Sequence, residues 1–312
     1  MSLEVSTSTK GIDGDAKKAV DLFRDIFGYH PGFRAVHAKG ILLRGTFSPT
    51  PEACSLSTAP HFRRHSTSVI ARLSNSGGVP TQLDADPANN QNGLALRFLL
   101  SSFPRREKTD IATVSTPFFP AGNVPDAVGF FRALATNKVE EFIRTHPAAA
   151  AFINAPKPFP SSFATQQFFS INAFKLVGKD HKATYIRYRI VPKDEVFNLD
   201  EKEAASKPPN YLYDELVKKL EAGLIEYELL AQIAEAGDVT DDCTVHWPET
   251  RELVKLGVVS LESILPDSDE EQKKLEFFDP VPRVEGIEPS GDPLIDLRSV
   301  AYRFSGADRR SA

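Results

Sequence analysis

The sequence predicts an α+β fold in a single domain, with a β-rich middle and helices toward both ends. Two observations predict it. Between residues 33 and 191 five stretches are rich in apolar residues that tend to alternate, as in half-buried strands, whereas residues 15–27 and 290–304 space their apolar side chains three and four apart, as one face of a helix does. Pro and Gly gather at 155–160, near 207 and at 280–293, which marks loops between elements rather than low-complexity linkers, and no internal repeat is visible.

Taken in order, residues 1–14 are polar and are expected to be flexible. Val20, Phe23, Ile26 and Phe27 then share a helix face that closes at Gly28, so 15–27 reads as an amphipathic helix lying on a larger body. FRAVHAKGILLRGTF at 33–47, interrupted by glycine, predicts a bent strand. SVIARLS at 68–74, GLALRFLL at 93–100, FFSINAFKLV at 168–177 and ATYIRYRIV at 183–191 predict further strands, and helices are expected at 124–135, 138–144 and 211–220. A mostly charged stretch at 268–275 reads as a solvated surface helix. Near the end Asp292 precedes Pro293, a helix start, and Leu294, Leu297, Ala301 and Tyr302 follow at helical spacing. Arg298 and Tyr302, four apart, project from the same face.

A chain of 312 residues with 41% hydrophobic residues is long and apolar enough to bury a cofactor. The net charge of −5 provides no field that would draw nucleic acid or an anionic membrane, so small neutral or apolar substrates fit better. Cys54 and Cys243 are the two cysteines and stand outside any C-x-x-C spacing, which argues against zinc ribbons, iron–sulfur clusters and c-type haem attachment. They read as two buried or half-buried thiols. No run is long enough for a membrane span and no signal peptide is visible, so the chain is expected to be soluble, with a cytoplasmic or, behind a removed leader, a periplasmic address.

The sequence holds no GxSxG, no Walker loop and no HExxH, and no GxGxxG follows a strand, so the common hydrolase, nucleotide and zincin chemistries have no anchor. His61 and His65 stand four apart without a third ligand nearby and read as a basic surface turn. Arg34 and His37 differ by an odd offset, and on one strand they would face opposite ways unless it bends.

R-x-x-H-A-K-G at 34–40, followed by Gly45-Thr46-Phe47, resembles the distal-histidine strand of haem catalases. The resemblance continues in order through Arg72-Leu73-Ser74, Gly77 and Gly78, Asp84, the run GLALRF from Gly93 to Phe98, Asp110 and Thr116-Pro117-Phe118-Phe119. It resumes at Phe174-Lys175-Leu176-Val177 with Tyr185 to Tyr188, and ends at Arg298-x-x-x-Tyr302, similar to the family's proximal helix. Collinear segments from 34 to 302 are far more specific than any one motif. The chain is identified as a member of the haem catalase superfamily and resembles its short, catalase-related peroxidases, without the extra C-terminal helices of the large catalases.

The resemblance implies an antiparallel eight-stranded β-barrel with surrounding helices and a haem b cofactor between the barrel and the last helix. It makes Tyr302 the axial ligand of the haem iron and Arg298 the cation that favours its phenolate, since a phenol is a poor ligand until it loses its proton. It makes His37 the acid/base acting on peroxide, oriented by Ser74. Arg34 and Arg72 match positions that bind haem propionates, for which a planar guanidinium is well suited. Phe119 and Phe130 fall where rings line or stack on the haem.

One position departs from the pattern. The family's distal asparagine, which helps bind peroxide, corresponds to Val114, and valine cannot donate a hydrogen bond. A register one residue later would place Ser115 there. The expected function is a haem peroxidase reducing hydrogen peroxide or organic hydroperoxides with a small organic electron donor, keeping residual catalase activity. A hydroperoxide-rearranging, allene-oxide-forming enzyme and a haem or lipophile binder without turnover are the alternatives. A homo-oligomer is expected on the resemblance alone.

Overall fold

The computed structural model describes residues 9–101, 107–265, 270, 271, 274 and 278–312. In chain order the strands are β1 (Gly40–Pro49), β2 (Thr67–Asn75), β3 (Asn92–Leu99), β4 (Lys108–Val114), β5 (Phe159–Pro160), β6 (Phe168–Phe169), β7 (Phe174–Val177), β8 (Ala183–Pro192), β9 (Asn198–Leu199), β10 (Ile225–Ile233), β11 (Leu253–Ile264) and β12 (Ile287–Pro289). The helices are α1 (Thr9–Phe27), α2 (Pro51–Leu56), α3 (Pro60–Arg63), α4 (Val124–Ala135), α5 (Val139–Ile143), α6 (Pro147–Asn154), α7 (Glu201–Ala205), α8 (Tyr211–Ala222) and α9 (Pro293–Ser311).

Eight strands close a barrel in the order β1-β2-β3-β4-β6-β8-β10-β11 and back to β1, every pairing antiparallel. The fold implied by the resemblance is the one observed. Period-two alternation turns Val69, Ala71 and Leu73 of β2, Leu94, Leu96 and Phe98 of β3, and Tyr227, Leu229 and Ala231 of β10 into one buried cluster. Each such fully buried large side chain contributes about 1.5–3 kcal/mol. An eight-stranded barrel is narrow enough for side chains to fill, and here this cluster fills it.

Several sequence expectations are corrected. Residues 33–39 are turns, and the strand starts only at Gly40, because His37 adopts φ 56° and gives its N–H to Ser76 O while Ala38 gives its own to Gly77 O. The stretch 168–177 splits into β6 and β7, because the Ser170 hydroxyl accepts the Tyr188 N–H and donates to Asn172 O, replacing strand pairing. Helix α1 already runs from Thr9, so 9–14 are helical, and residues 1–8 lie outside the described residues. The helix expected at 268–275 also falls outside them except for residues 270, 271 and 274. Three barrel strands, β4, β10 and β11, had not been singled out in the sequence.

His61 is not in a surface turn. It is wholly buried, packs between Phe62 and Phe98 with ring centroids 4.1 and 4.4 Å away, and its two ring nitrogens have no hydrogen-bond partner. His65 is exposed, and among the described residues no group of three His, Cys, Asp or Glu could hold a metal ion. Both cysteines are free thiols, Cys54 half-buried and Cys243 buried. No helix among the described residues is long and apolar enough to cross a membrane.

Candidate active site

A cleft of about 780 Å³, open solvent at its mouth included, lies between the outer face of β2–β4 and helix α9. Strand register builds its floor. Arg72, Ala95 and Ala112 are paired neighbours across β2, β3 and β4, and Ser74, Gly93 and Val114 form the next such row two residues along. All six line the cleft. The residues between them in β2 and β3 point into the barrel core, so one alternation serves both the core and the site.

A side chain has little room at two glycines beside His37 and Arg72. A Cβ at Gly40 would collide with the guanidinium of Arg72, and a Cβ at Gly93 would stand 3.0 Å from His37 Cε1 and 3.2 Å from Ser74 Oγ. His37 is therefore held by close packing on one side. Ser74 Oγ lies 3.1 Å from its Nδ1, and Arg72 Nη2 donates to its backbone oxygen at 2.8 Å. The left-handed turn at His37 resolves the odd offset, since Arg34 and His37 both line the cleft.

Helix α9 forms the facing wall. Asp292 accepts the Leu294 N–H at 2.9 Å as N-cap, with Pro293 in the first turn, as the sequence predicts. Arg298, Ala301, Tyr302, Ser305 and Arg309 recur at helical spacing and line the cleft. Arg298 donates from Nε and Nη2 to the Tyr302 hydroxyl, both at 3.3 Å. Helix α1 packs along α9 through the Arg24–Asp308 and Arg303–Asp13 ion pairs, and contributes Val20 and Phe23 to the wall.

The electrostatics are strongly cationic. Burial, followed by Arg72, Arg309 and Arg97, holds the Arg34 guanidinium well below its usual range, and burial brings Arg72 and Arg309 down to about 10. Burial, reinforced by Arg72, Arg34 and Arg298, lowers His37 to about 3, so the imidazole is neutral at physiological pH. Arg97 is occupied elsewhere, in a buried bidentate pair with Asp110 at 2.8 Å for each contact. Arg34, Arg72 and Arg309 thus crowd one cleft whose other walls are largely apolar, including Val20, Phe23, Ala95, Val114 and Ala301. This combination fits an apolar group that carries anionic substituents.

Of the residues singled out in the sequence, Arg34, His37, Arg72, Ser74, Val114, Arg298 and Tyr302 meet in the cleft. The register puts Val114 on its wall, whereas the Ser115 hydroxyl accepts the Asn92 N–H at 3.0 Å and offers no substitute donor there. Phe119 and Phe130 do not line the cleft. They pack against Phe131, with ring centroids 6.3 and 6.1 Å away, and Phe131 in turn supports Phe23 at 4.5 Å. Their rings back the wall, and the ring that lines the cleft is that of Phe23. Sequence reasoning missed Arg309, although it falls seven residues after Tyr302 and therefore on the same face. Phe278, Val20 and Phe23 carried no chemical signal.

The closed antiparallel barrel with its surrounding helices is the fold of solved catalases. Catalase A from Saccharomyces cerevisiae superposes with a TM-score of 0.76 at 19% identity, over 89% of this chain and 60% of that one. The catalase family model matches residues 32–312, and the chain belongs to that family. It is 31% identical over 306 residues to a catalase-related peroxidase of Mycolicibacterium paratuberculosis, covering 94% of this chain and 95% of that protein. A catalase-related peroxidase of Synechococcus elongatus is 30% identical over 91% of this chain and 85% of its own length.

Proposed function

We propose that the chain is a haem-dependent peroxidase that reduces peroxide with a small organic donor. Family membership implies haem and a peroxide substrate. The observation that carries the reading is one cleft with His37 and Ser74 on its floor, Tyr302 held by Arg298 on the facing wall, and three arginines crowding it. The cofactor we propose is haem b. Its iron would be held by Tyr302, its carboxylates by Arg34, Arg72 and Arg309, and it would supply the redox chemistry.

The chain's own residues handle protons and access. A base needs a bare nitrogen toward the substrate, which puts the imidazole proton on Nδ1 and makes Ser74 Oγ its acceptor. His37 Nε2 then takes a proton from one peroxide oxygen and returns it to the departing one. The lowered pKa of His37 makes it a weak base among arginines alone, and anionic groups placed between it and those arginines would raise its basicity. Val114 leaves the peroxide side without the donor that the family's asparagine provides, and a more apolar wall accepts organic hydroperoxides better. We therefore infer a preference for organic hydroperoxides and donor oxidation over hydrogen peroxide dismutation.

Rearrangement of a fatty-acid hydroperoxide is not favoured, because both relatives of similar length carry the name peroxidase. The test is the absorption spectrum of the haem-loaded protein and of Tyr302→Phe, followed by hydrogen peroxide and, separately, an organic hydroperoxide with a chromogenic donor. A high-spin ferric spectrum altered by the substitution, with donor oxidation exceeding oxygen release, is expected. No haem uptake would overturn the reading.

A further inference from the structure

The turn that carries His37 is gripped from two sides. A left-handed backbone is disfavoured for any residue with a Cβ, and His37 adopts φ 56°, so its neighbours have to hold it there. On the cleft side Arg72 donates to the His37 backbone oxygen at 2.8 Å. On the other side stands Lys39, the last residue before β1. Its ammonium donates to Gln82 O at 2.8 Å, to Asp84 Oδ1 at 2.6 Å and to Asn210 Oδ1 at 2.7 Å, and it lies 4.8 Å from the centre of the Tyr213 ring.

None of these partners lines the cleft. An ammonium has three N–H donors, and here they meet three acceptors. The partners are themselves fixed. The Asp84 side chain is fully buried, its second oxygen accepts the Leu212 N–H at 2.9 Å, and its own N–H goes to Pro209 O at 2.9 Å. Tyr213 donates from its hydroxyl to Asn75 Oδ1 at 2.8 Å, and the Asn75 N–H goes to Lys39 O at 3.2 Å. Asn75 follows Ser74, the partner of the His37 imidazole. The start of α8 is thus tied, around one ammonium, to both segments that aim the histidine.

We propose that Lys39 and Asp84 are positioning residues for His37: their ion pair, clamped on the start of α8, holds the left-handed turn and with it the direction of the imidazole. The proposal rests on the haem-peroxidase reading, in which His37 moves the proton of peroxide. Misplacing a reacting group by a distant substitution can lower turnover by about a hundredfold.

The test uses the full chain and Lys39→Met/Asp84→Asn. The two substitutions remove both charges together, so neither is left buried and unpaired, and asparagine can still accept the Leu212 N–H. Amide hydrogen exchange is measured on the haem-free chain and peroxidase turnover on the haem-loaded one. The His37 and Ala38 N–H groups, which donate to Ser76 O and Gly77 O, should exchange about 10–100-fold faster in the variant, with β10 and β11 unchanged. Turnover should fall by about 10–100-fold. His37→Asn keeps a residue that tolerates the left-handed turn but has no acid/base group, and in that background the same two substitutions should change turnover less than about twofold. Parent-like exchange at the two amides, parent-like turnover, or an equal loss in the His37→Asn background would each overturn the proposal. Should the double variant not fold, Asn210→Ala, which removes one exposed acceptor, carries the same comparison with an expected effect of about fivefold. A parent chain that takes up no haem would overturn the haem reading and this proposal with it, whereas parent-like exchange in a chain that binds haem would overturn this proposal alone.

Discussion

His61→Phe should make the protein resist acid. The imidazole lies inside an aromatic cluster, 4.4 Å from Phe98 at an interplanar angle of 27° and 4.1 Å from Phe62, with both nitrogens buried and unpartnered. A buried polar group without a partner costs about 1–3 kcal/mol, and a larger ring in a packed core costs about as much, so the gain at pH 7 is small. The pH dependence is the sharper signal. Burial lowers His61 from 6.5 to about 3, so the unfolded chain takes up the proton first, and the stability of the native state is lost as pH falls from about 6.5 toward about 3. At pH 4.5, two units below the unfolded value, the loss is about 2.7 kcal/mol at about 1.36 kcal/mol per unit. Phenylalanine has no proton to take up. Urea unfolding of parent and variant at pH 7.0 and 4.5 should show the variant's advantage growing by about 2.7 kcal/mol. His37, also lowered to about 3, remains in both chains and cancels. An identical acid loss in the two chains would refute the reasoning and mean that the buried imidazole is hydrated or paired.

Further consequences follow from the cleft. Gly93→Ala would press its methyl group on His37 Cε1 at 3.0 Å, and peroxidase turnover should fall about a hundredfold while the chain stays folded by circular dichroism. Val114→Asn restores a donor on the floor and should raise hydrogen peroxide turnover by about a hundredfold, read as oxygen release, relative to turnover of an organic hydroperoxide. Arg309→Leu removes one guanidinium from the cluster and should weaken haem binding about tenfold, with the deficit shrinking at high salt as screening weakens what that charge contributes.

Local pattern made much of this protein legible. The i, i+4 pair Arg298 and Tyr302, the Asp292-Pro293 start of α9 and the glycine stop of α1 are short-range features, and backbone geometry alone places them. Period-two alternation in 68–74 likewise separates Leu73, which enters the core, from Arg72 and Ser74, which face the cleft. Closure of the barrel was not legible in the same way, because β1 pairs with β11 more than two hundred residues later and no local pattern names that partner.

The sequence by itself determined the fold class, the tyrosine helix and the identity of the histidine, because each rests on neighbours in the chain or on an ordered series of motifs. Only the tertiary structure decided that His37 leaves the strand in a left-handed turn, that Val114 rather than Ser115 faces the cleft, that Phe23 rather than Phe119 or Phe130 lines its wall, and that Arg309 lines it too. Those outcomes depend on strand register and on which distant surface packs against a given face. Register is set by the whole barrel closing at once, and no segment holds that information alone.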